Sequence, residues 1–519
     1  MQALQKFVPS KYQSAIFQWI KEGRGDAVVQ AVAGSGKTTT LVEASKLLHT
    51  DSAIFLSFNK HIADELSKRV TNMACKTIHS IGHTCLRSHL AKPILDESKY
   101  LDLAKPYAEE IAEGLRYRYI QDLRIWNQEK LEDEDISEPD EPPTAASVAS
   151  QLKQLAHFVR VTLTDVNSRA AVEETCYHYS VLENGFTLDL LYRPLLGMLR
   201  ESDRLAANRG TIDYDDMLYL PYVWGLQPRK CQWVFVDESQ DLSPAQLDLV
   251  LKLRSPGGRM LFVGDERQAI FGFAGASSDS IKQIIARTSA TVLPLSICYR
   301  CPSSHIKLAQ EIVPSIEASV GAPEGIVESI PRSEIHKRIQ EGDLVISRCT
   351  APVVSLCIEL IAKRIPARVR GRDIGKSLTA IVKDVAKHPD FTYDDFGIFL
   401  KEYEEKKVAR LEQRKNAQSQ IESLRDRIQG IQVCYEAFDV DSVDELCYEI
   451  ESLFSDGRAS VMLSTVHRAK GLENDRVFIL QPQKLPLTWQ DQQEWERTQE
   501  NNLKYVALTR AKSALYFIR

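Results

Sequence analysis

Ala31-Val32-Ala33-Gly34-Ser35-Gly36-Lys37-Thr38-Thr39-Thr40 follows the apolar run Ala27 to Val29, and this passage from a short buried strand into a glycine-bearing loop decides the fold. A phosphate-binding loop needs glycine where it bends so that backbone N–H groups face the β-phosphate. It then needs lysine for the β- and γ-phosphates and a hydroxyl for magnesium. Gly34 and Gly36 supply the tight backbone, Lys37 the charge and Thr38 the metal ligand, while Ala33, Ser35 and Thr39 complete the cradle. Ala31 stands where the first glycine of the pattern is usual. Leu41, Val42, Ala44, Leu47 and Leu48 then recur at helical spacing, so the loop opens a helix whose N-terminus itself favours anions.

Later segments supply what such a loop requires. An apolar strand, Gln232 to Val236, ends in Asp237-Glu238-Ser239-Gln240-Asp241, and acids at the C-terminal end of a parallel strand lie where open α/β sheets bind ligands. Asp237 is expected to hold Mg²⁺ through water, and Glu238 to take a proton from an attacking water. A further strand, Met260 to Val263, ends in Gly264-Asp265, which brings the amide of Gln268 to the γ-phosphate side. Upstream, Gln13 sits in a capped helix start and has an amide able to donate and accept at an adenine edge.

Composition bounds the rest. The chain has 519 residues, 44% hydrophobic and 26% charged, enough for three or four domains with sizeable cores. No run approaches the roughly 18 apolar residues of a membrane span, and no apolar leader is visible, so a cytoplasmic setting without membrane contact is expected. The ten cysteines are scattered singly except Cys298 and Cys301. A single C-x-x-C without a second pair is read as core or loop residues rather than zinc ligands. A net charge of −6 does not favour nucleic acid, so any such contact needs a locally basic cleft. Lys363 to Lys376, with six basic residues and one acid, is a candidate edge for phosphates.

Two stretches break the strand-then-polar-turn rhythm. Residues 86–205 are helix-like and include an acidic run from Glu129 to Glu141, read as a solvated loop. Residues 376–455 are rich in helix formers, and Ile421, Leu424, Ile428, Ile431 and Tyr435 step by three and four, which predicts a helical hairpin or short coiled coil. Leu295 to Tyr299, Leu344 to Ser347, Val461 to Thr465 and Ala514 to Ile518 read as strands of a second α/β unit.

Gln13, the loop at 31–40, Phe58-Asn59-Lys60, Thr77-x-His79, Asp237-Glu238-x-Gln240-Asp241, Gly264-Asp265-x-x-Gln268, Tyr299-Arg300, Thr465 to Glu473 and Val506-Ala507-x-Thr509-Arg510-Ala511 resemble, in order, the motifs of superfamily 1 DNA helicases of the UvrD/Rep/PcrA type. The wording around Phe58 and Thr77 is similar to the F-box DNA helicase branch. The resemblance implies an α/β fold of two RecA-like motor domains with parallel sheets, each carrying a mainly helical insertion. These would be 1–85 with 206–290 and 291–375 with 456–519, interrupted by 86–205 and 376–455. It implies ATP with Mg²⁺ in the cleft between them. Gln13 would read adenine, Tyr299 stack on it, Glu473 bond the ribose, and Arg300 and Arg510 act as arginine fingers. Phe58, Tyr214 and Phe273 would stack bases of a single strand, with Asn59, Thr77, His79, Thr465 and His467 on its backbone or sugars.

Translocation on single-stranded DNA from 3′ to 5′, unwinding at single-strand/duplex junctions and a monomeric state are the family expectations. A translocase dependent on a protein partner docked on the insertions, or an ATP-switched scaffold, are the alternatives. The chain departs from the family in Ala274, where arginine is usual, in Cys298, where asparagine is common, and in a short second insertion.

Overall fold

The computed structural model describes residues 7–57, 59–129, 142–179, 181–182, 186–270, 272, 275, 279–412, 417–454, 460–490 and 492–519. Most of the acidic run, as well as Phe58, Phe273 and Ala274, lies outside the described residues.

Strands β1 (Ala27–Ala31), β2 (Ala53–Ser57) and β3 (Ala74–Thr77) precede a small parallel pair, β4 (Ile94–Leu95) with β5 (Thr211–Ile212). With β6 (Cys231–Val236), β7 (Arg254–Gly264) and β8 (Thr291–Leu295), the first three form a six-stranded parallel sheet in the order β3-β2-β6-β7-β1-β8. Residues such as Ala-Ile-Phe-Leu-Ser in β2 are buried throughout, because a parallel sheet is covered on both faces and selects continuous apolar runs. Ile16, Leu41, Phe55 and Leu261 fill one face, and Val28, Val234, Phe262 and Ile284 the other.

Helices α1 (Lys11–Glu22), α2 (Lys37–Ser45), α3 (Lys60–Arg69) and α4 (Ile78–His89) belong to this unit. Helices α5 (Lys99–Glu129), α6 (Ala145–Val161), α7 (Arg169–His178) and α8 (Leu188–Arg209) form the first insertion around its own core of Leu152, Leu155, Leu191 and Met198. The chain then returns through α9 (Asp216–Val223), α10 (Pro244–Leu251) and α11 (Ser280–Thr288). The insertion is fastened by buried charges. Arg160 bonds Asp213 at 2.8 Å, Asp215 at 2.9 Å and Asp216 at 3.1 Å, and Lys99 bonds Asp216 at 2.6 Å. Removing one partner would leave an uncompensated charge, so this knot fixes the insertion against the segment that carries Tyr214.

The first sheet extends past the expected boundary at 290. Strand β8 pairs with β1 from Ala27↔Thr291 to Ala31↔Leu295 and is its edge. The strand expected from Leu295 to Tyr299 is accordingly absent. Its place is taken by the two-residue β9 (Ile297–Cys298), which pairs with β10 (Glu317–Ala318) outside both large sheets.

The second sheet contains β11 (Ile326–Ile330), β12 (Leu344–Ser347), β13 (Ala367–Val369), β14 (Val461–Thr465), β15 (Asn474–Leu480) and β16 (Ala511–Ile518) in the parallel order β11-β16-β15-β12-β14-β13. The α/β class expected from the motifs is therefore what the chain adopts. Helices α12 (Ser303–Gln310), α13 (Ile335–Arg338) and α14 (Ala351–Ala362) precede the second insertion, which is α15 (Arg372–Val385), α16 (Phe396–Glu412), α17 (Gln418–Ala437) and α18 (Val443–Leu453); α19 (Glu494–Leu508) leads into β16. The seam on α17 faces inward. Ile421, Leu424, Ile428 and Ile431 join Val353, Leu356, Val369 and Leu463 in one core, so this insertion covers a face of the second sheet rather than standing apart from it.

Ile431 is fully buried in that shared core. Ile431→Ala should lower the unfolding free energy of the second unit by about 2–5 kcal/mol, read from urea denaturation. An unchanged transition would mean the seam faces water.

Candidate functional site

Strand β1 delivers the loop. Ala31 is still in the strand, in register with Leu295, so no glycine is required at that position. Gly34 and Gly36 have φ of +66° and +77°, the left-handed region where a side chain is strained. A Cβ on Gly34 would also lie 2.6 Å from Arg300 Cβ and 2.9 Å from Cys298 Sγ, so glycine here admits the chain at 298–300. Gly36 caps α2 without a side-chain bond, leaving the first N–H groups of that helix pointing into the cleft. Ser35 Oγ is buried and has no partner. Thr39 is half-buried in the first turn of α2.

At the ends of β6 and β7 the acids gather round this loop. Thr38 Oγ1 donates to Asp237 Oδ2 at 3.3 Å, and Lys37 Nζ to Glu238 Oε2 at 3.1 Å. Glu238 has φ +51°, unusual for a residue with a side chain and the kind of strain that collects at functional sites. Gln240 Nε2 donates to Glu238 Oε2 at 2.6 Å, and Gln268 Nε2 to Asp265 Oδ2 at 2.6 Å. The two adjacent acids are driven apart in proton affinity. Burial, with Glu238 alongside, raises Asp237 to about 6. Burial opposes ionisation of Glu238 too, but Lys37 and Lys470 outweigh it and hold that carboxyl at about 2. Lys37 is raised, because Glu238, Asp265 and Asp237 overcome its own burial.

The second unit closes over the loop. The Tyr505 hydroxyl accepts from Ala33 N at 2.8 Å and donates to Asp265 Oδ2 at 3.4 Å. Lys470 Nζ donates to Asp241 Oδ2 and to the Gln268 carbonyl, both at 2.6 Å. Asn502 Nδ2 reaches the Ala269 carbonyl at 3.0 Å. Arg510 is 1% exposed. Its Nε donates to Val506 O at 2.9 Å, one terminal nitrogen to Leu472 O at 3.1 Å and the other to Gln268 Oε1 at 3.5 Å. Burial, with Arg300 nearby, lowers Arg510 to about 10.

Four residues expected at the nucleotide make other contacts. Gln13 Oε1 accepts from Ser10 N at 3.0 Å and its Nε2 donates to Thr40 Oγ1 at 3.0 Å, so the amide closes a capping box and ties α1 to α2. Arg300 Nε bonds Glu473 Oε2 at 2.6 Å, pairing the expected finger with the expected ribose ligand. Tyr299 is half-exposed, and its N–H donates to Gly34 O at 2.9 Å.

The residues expected on a nucleic acid fall in two groups. Asn59 Oδ1 caps α3 through Ile62 N at 2.9 Å, and Thr77 Oγ1 caps α4 through Ser80 N at 3.2 Å. Beside them the rings of His79 and Tyr214 meet edge to face at 6.4 Å, with Tyr214 49% exposed. Thr465 and His467 instead line a cleft of about 780 Å³ between the first insertion, the second sheet and α17. Burial and Arg348 push His467 down to about 3, keeping it neutral. Trp489, Trp495 and Tyr179 add aromatic surface to this cleft and were not picked out by motif reading. Nor were Tyr505, Lys470 and Asn502, although Lys470 stands inside a quoted motif and Tyr505 directly precedes another.

A family model for the UvrD/REP helicase N-terminal domain matches residues 13–288, and one for the UvrD-like helicase C-terminal domain matches residues 460–518. F-box DNA helicase 1 of Gallus gallus is 25% identical over 539 residues, covering 95% of this chain and 47% of that protein. F-box DNA helicase protein 1 of Schizosaccharomyces pombe is 22% identical, covering 94% and 55%. ATP-dependent DNA helicase PcrA of Staphylococcus aureus is 24% identical over 310 residues, covering 57% and 38%. The chain spans about half the length of the curated relatives it matches.

Tyr505→Phe removes the acceptor for the buried Ala33 N–H, a loss of about 1–3 kcal/mol. Amide hydrogen exchange across 32–36 should rise; unchanged protection would mean the hydroxyl does not hold the two units together.

Proposed function

The chain belongs to the UvrD/REP helicase family, and we propose that it is a DNA-dependent ATPase that moves 3′ to 5′ along single-stranded DNA and separates strands at single-strand/duplex junctions. The observation that carries this reading is the continuous chain of contacts from Lys37 through Glu238, Gln240, Asp265 and Gln268 to Arg510, which crosses from the first unit to the second.

The residues present fit a magnesium–triphosphate. Left-handed Gly34 and Gly36, the open N-terminus of α2, the unpartnered Ser35 hydroxyl and the Thr38–Asp237 pair are the donor set such a group requires. Bound between Thr38 and Asp237, Mg²⁺ would neutralise charge on the β- and γ-phosphates. Lys37 would exchange Glu238 for phosphate oxygens, which removes the first of the cations that lower Glu238 and leaves that carboxylate to orient and deprotonate the attacking water. Gln268 sits between Asp265 and Arg510, so it relays the position of the second unit to the γ-phosphate side. Arg510 contributes an arginine finger, worth ~10³ to 10⁵ in rate. Arg300 joins it once freed from Glu473, and Glu473 is then available to a ribose. Adenine recognition by Gln13 requires its Nε2 to leave Thr40. Because Arg510 belongs to the far unit, hydrolysis is tied to closure, and repeated closure becomes movement.

On the DNA side, stacking suits a motor indifferent to sequence, since every base offers a π-face worth about 1–3 kcal/mol. Tyr214 with His79 is one platform. The cleft of Thr465 and His467 is the second, with their polar groups on backbone or sugar. A partner-dependent form of the activity is favoured by one feature: Tyr117, Ile120 and Ile125 are exposed on α5, an apolar face available to another protein. A monomeric, cytoplasmic enzyme completes the reading.

Lys37→Ala should abolish hydrolysis while the protein stays folded and binds single-stranded DNA; retained turnover would put the phosphate site elsewhere. Arg510→Ala should lower kcat by about 10³ or more with nucleotide affinity changed only a few-fold, as for a contact made in the transition state. Equal losses in both would make Arg510 structural. Strand displacement should occur on 3′-tailed and not 5′-tailed duplexes.

A further inference from the structure

We infer that Cys298 and Cys301 form a thiol–disulfide exchange site in the wall of the nucleotide cleft, whose co-substrate is a low-molecular-weight disulfide, and that closing the bond suppresses hydrolysis. The effect on hydrolysis rests on the ATPase reading above; formation of the bond does not.

The two cysteines are the chain's only closely spaced pair, separated by Tyr299 and Arg300. Both are buried, and they share a cluster with Val32 and Ala33 of the phosphate loop and Tyr505 of the second unit. The turn brings the backbone of Cys301 onto the Cys298 sulfur. Cys301 N donates to Cys298 Sγ at 3.4 Å, and the Cys301 thiol donates to the Thr509 carbonyl at 3.6 Å. Among the described residues no third His, Cys, Asp or Glu side chain joins the pair in a group that could hold a metal ion.

The environment of Cys298 differs from that of every other cysteine. The Cys301 thiol, reinforced by the N–H groups of Cys301 and Arg300, holds Cys298 down at about 6. Burial pushes Cys176, Cys357 and Cys434 up to about 12, the state of an inert core thiol. Cys301 is pushed up by the same bond that lowers its neighbour. A nucleophilic thiolate with a resolving thiol three residues on is the arrangement of a reactive C-x-x-C.

The chemistry balances. The Cys298 thiolate attacks one sulfur of R–S–S–R, and RS⁻ leaves with the electron pair of the broken bond. The Cys301 thiol gives its proton to RS⁻, and its sulfur attacks Cys298 Sγ, expelling the second RS⁻, which is protonated from water. Two protein thiols are oxidised to one disulfide as R–S–S–R is reduced to two RSH. The bond takes the Cys301 thiol away from Thr509, the residue before Arg510. It also clamps the turn that presents Tyr299 to Gly34 and Arg300 to Glu473. Because the pair is sealed where the two units meet, the reagent reaches it when they separate.

The full chain, incubated with oxidised glutathione, quenched by alkylation and digested, should yield a 298–301 peptide two hydrogens lighter than its reduced form. A non-hydrolysable ATP analogue should slow its appearance. DNA-stimulated ATPase should fall on the order of tenfold to a hundredfold and return with dithiothreitol. Cys298→Ser should form neither the bond nor an adduct in this turn, and Cys301→Ser should stop at the glutathione adduct on Cys298. Both cysteines alkylated at the quench, with oxidation confined to Cys75 or Cys231, would overturn the site. A complete bond with undiminished ATPase would overturn its effect on hydrolysis. Absence of ATPase in untreated protein would overturn the proposed function and the effect on hydrolysis, while mass spectrometry still decides the site.

Discussion

A phenol hydroxyl lodged between the Ala33 amide and the Asp265 carboxylate joins the two units at the point where the phosphate loop leaves its strand. A polar group this deep is costly without a partner, so the contact is made only when Tyr505 is fully seated. Lys470 on Asp241 and Asn502 on the 266–269 turn surround it and share that requirement. The interface therefore favours one closed position rather than a range of loose ones. Arg510 comes to Gln268 as a consequence of that position.

The same closure sorts the acids. Asp237 and Glu238 are adjacent in sequence, the first buried and the second partly exposed, and one is raised to about 6 while the other is lowered to about 2. The difference arises from where each points: Glu238 faces Lys37 and has Lys470 of the far unit nearby, whereas Asp237 faces the Thr38 hydroxyl. Acids driven apart in this way differ in charge state at one pH, Glu238 remaining ionised where Asp237 begins to take a proton. Separation of the units would take Lys470 away and weaken the hold on Glu238, so proton affinity and geometry respond to one movement.

The phosphate loop was legible because its chemistry is local: strand, glycines, Lys37 and Thr38 follow one another within ten residues. The apolar runs of β2, β6, β12 and β14 were legible for the same reason. Two-residue strands such as β9 carry no periodicity, and β8 is assigned to the first sheet only by pairing with β1, so the unit boundary was misplaced. The capped helix start at Ser10 to Gln13 was legible, whereas the cap signatures of Asn59 and Thr77 were obscured by the expectation of ligand contacts. Tyr505 and Ala33 are 472 residues apart, and no spacing rule links them. The knot of Arg160 with Asp213, Asp215 and Asp216 was hidden likewise, since it joins an insertion to the unit it interrupts.

On the function proposed above, nucleotide closes the two units on each other. Pulsed dipolar spectroscopy between nitroxides placed on α3 and α14 through non-natural side chains, leaving the ten native cysteines untouched, measures this directly. A single short distance with a non-hydrolysable ATP analogue, giving way to a longer and broader distribution without nucleotide, is the predicted result. One unchanged distance in both states would mean that nucleotide does not move the units.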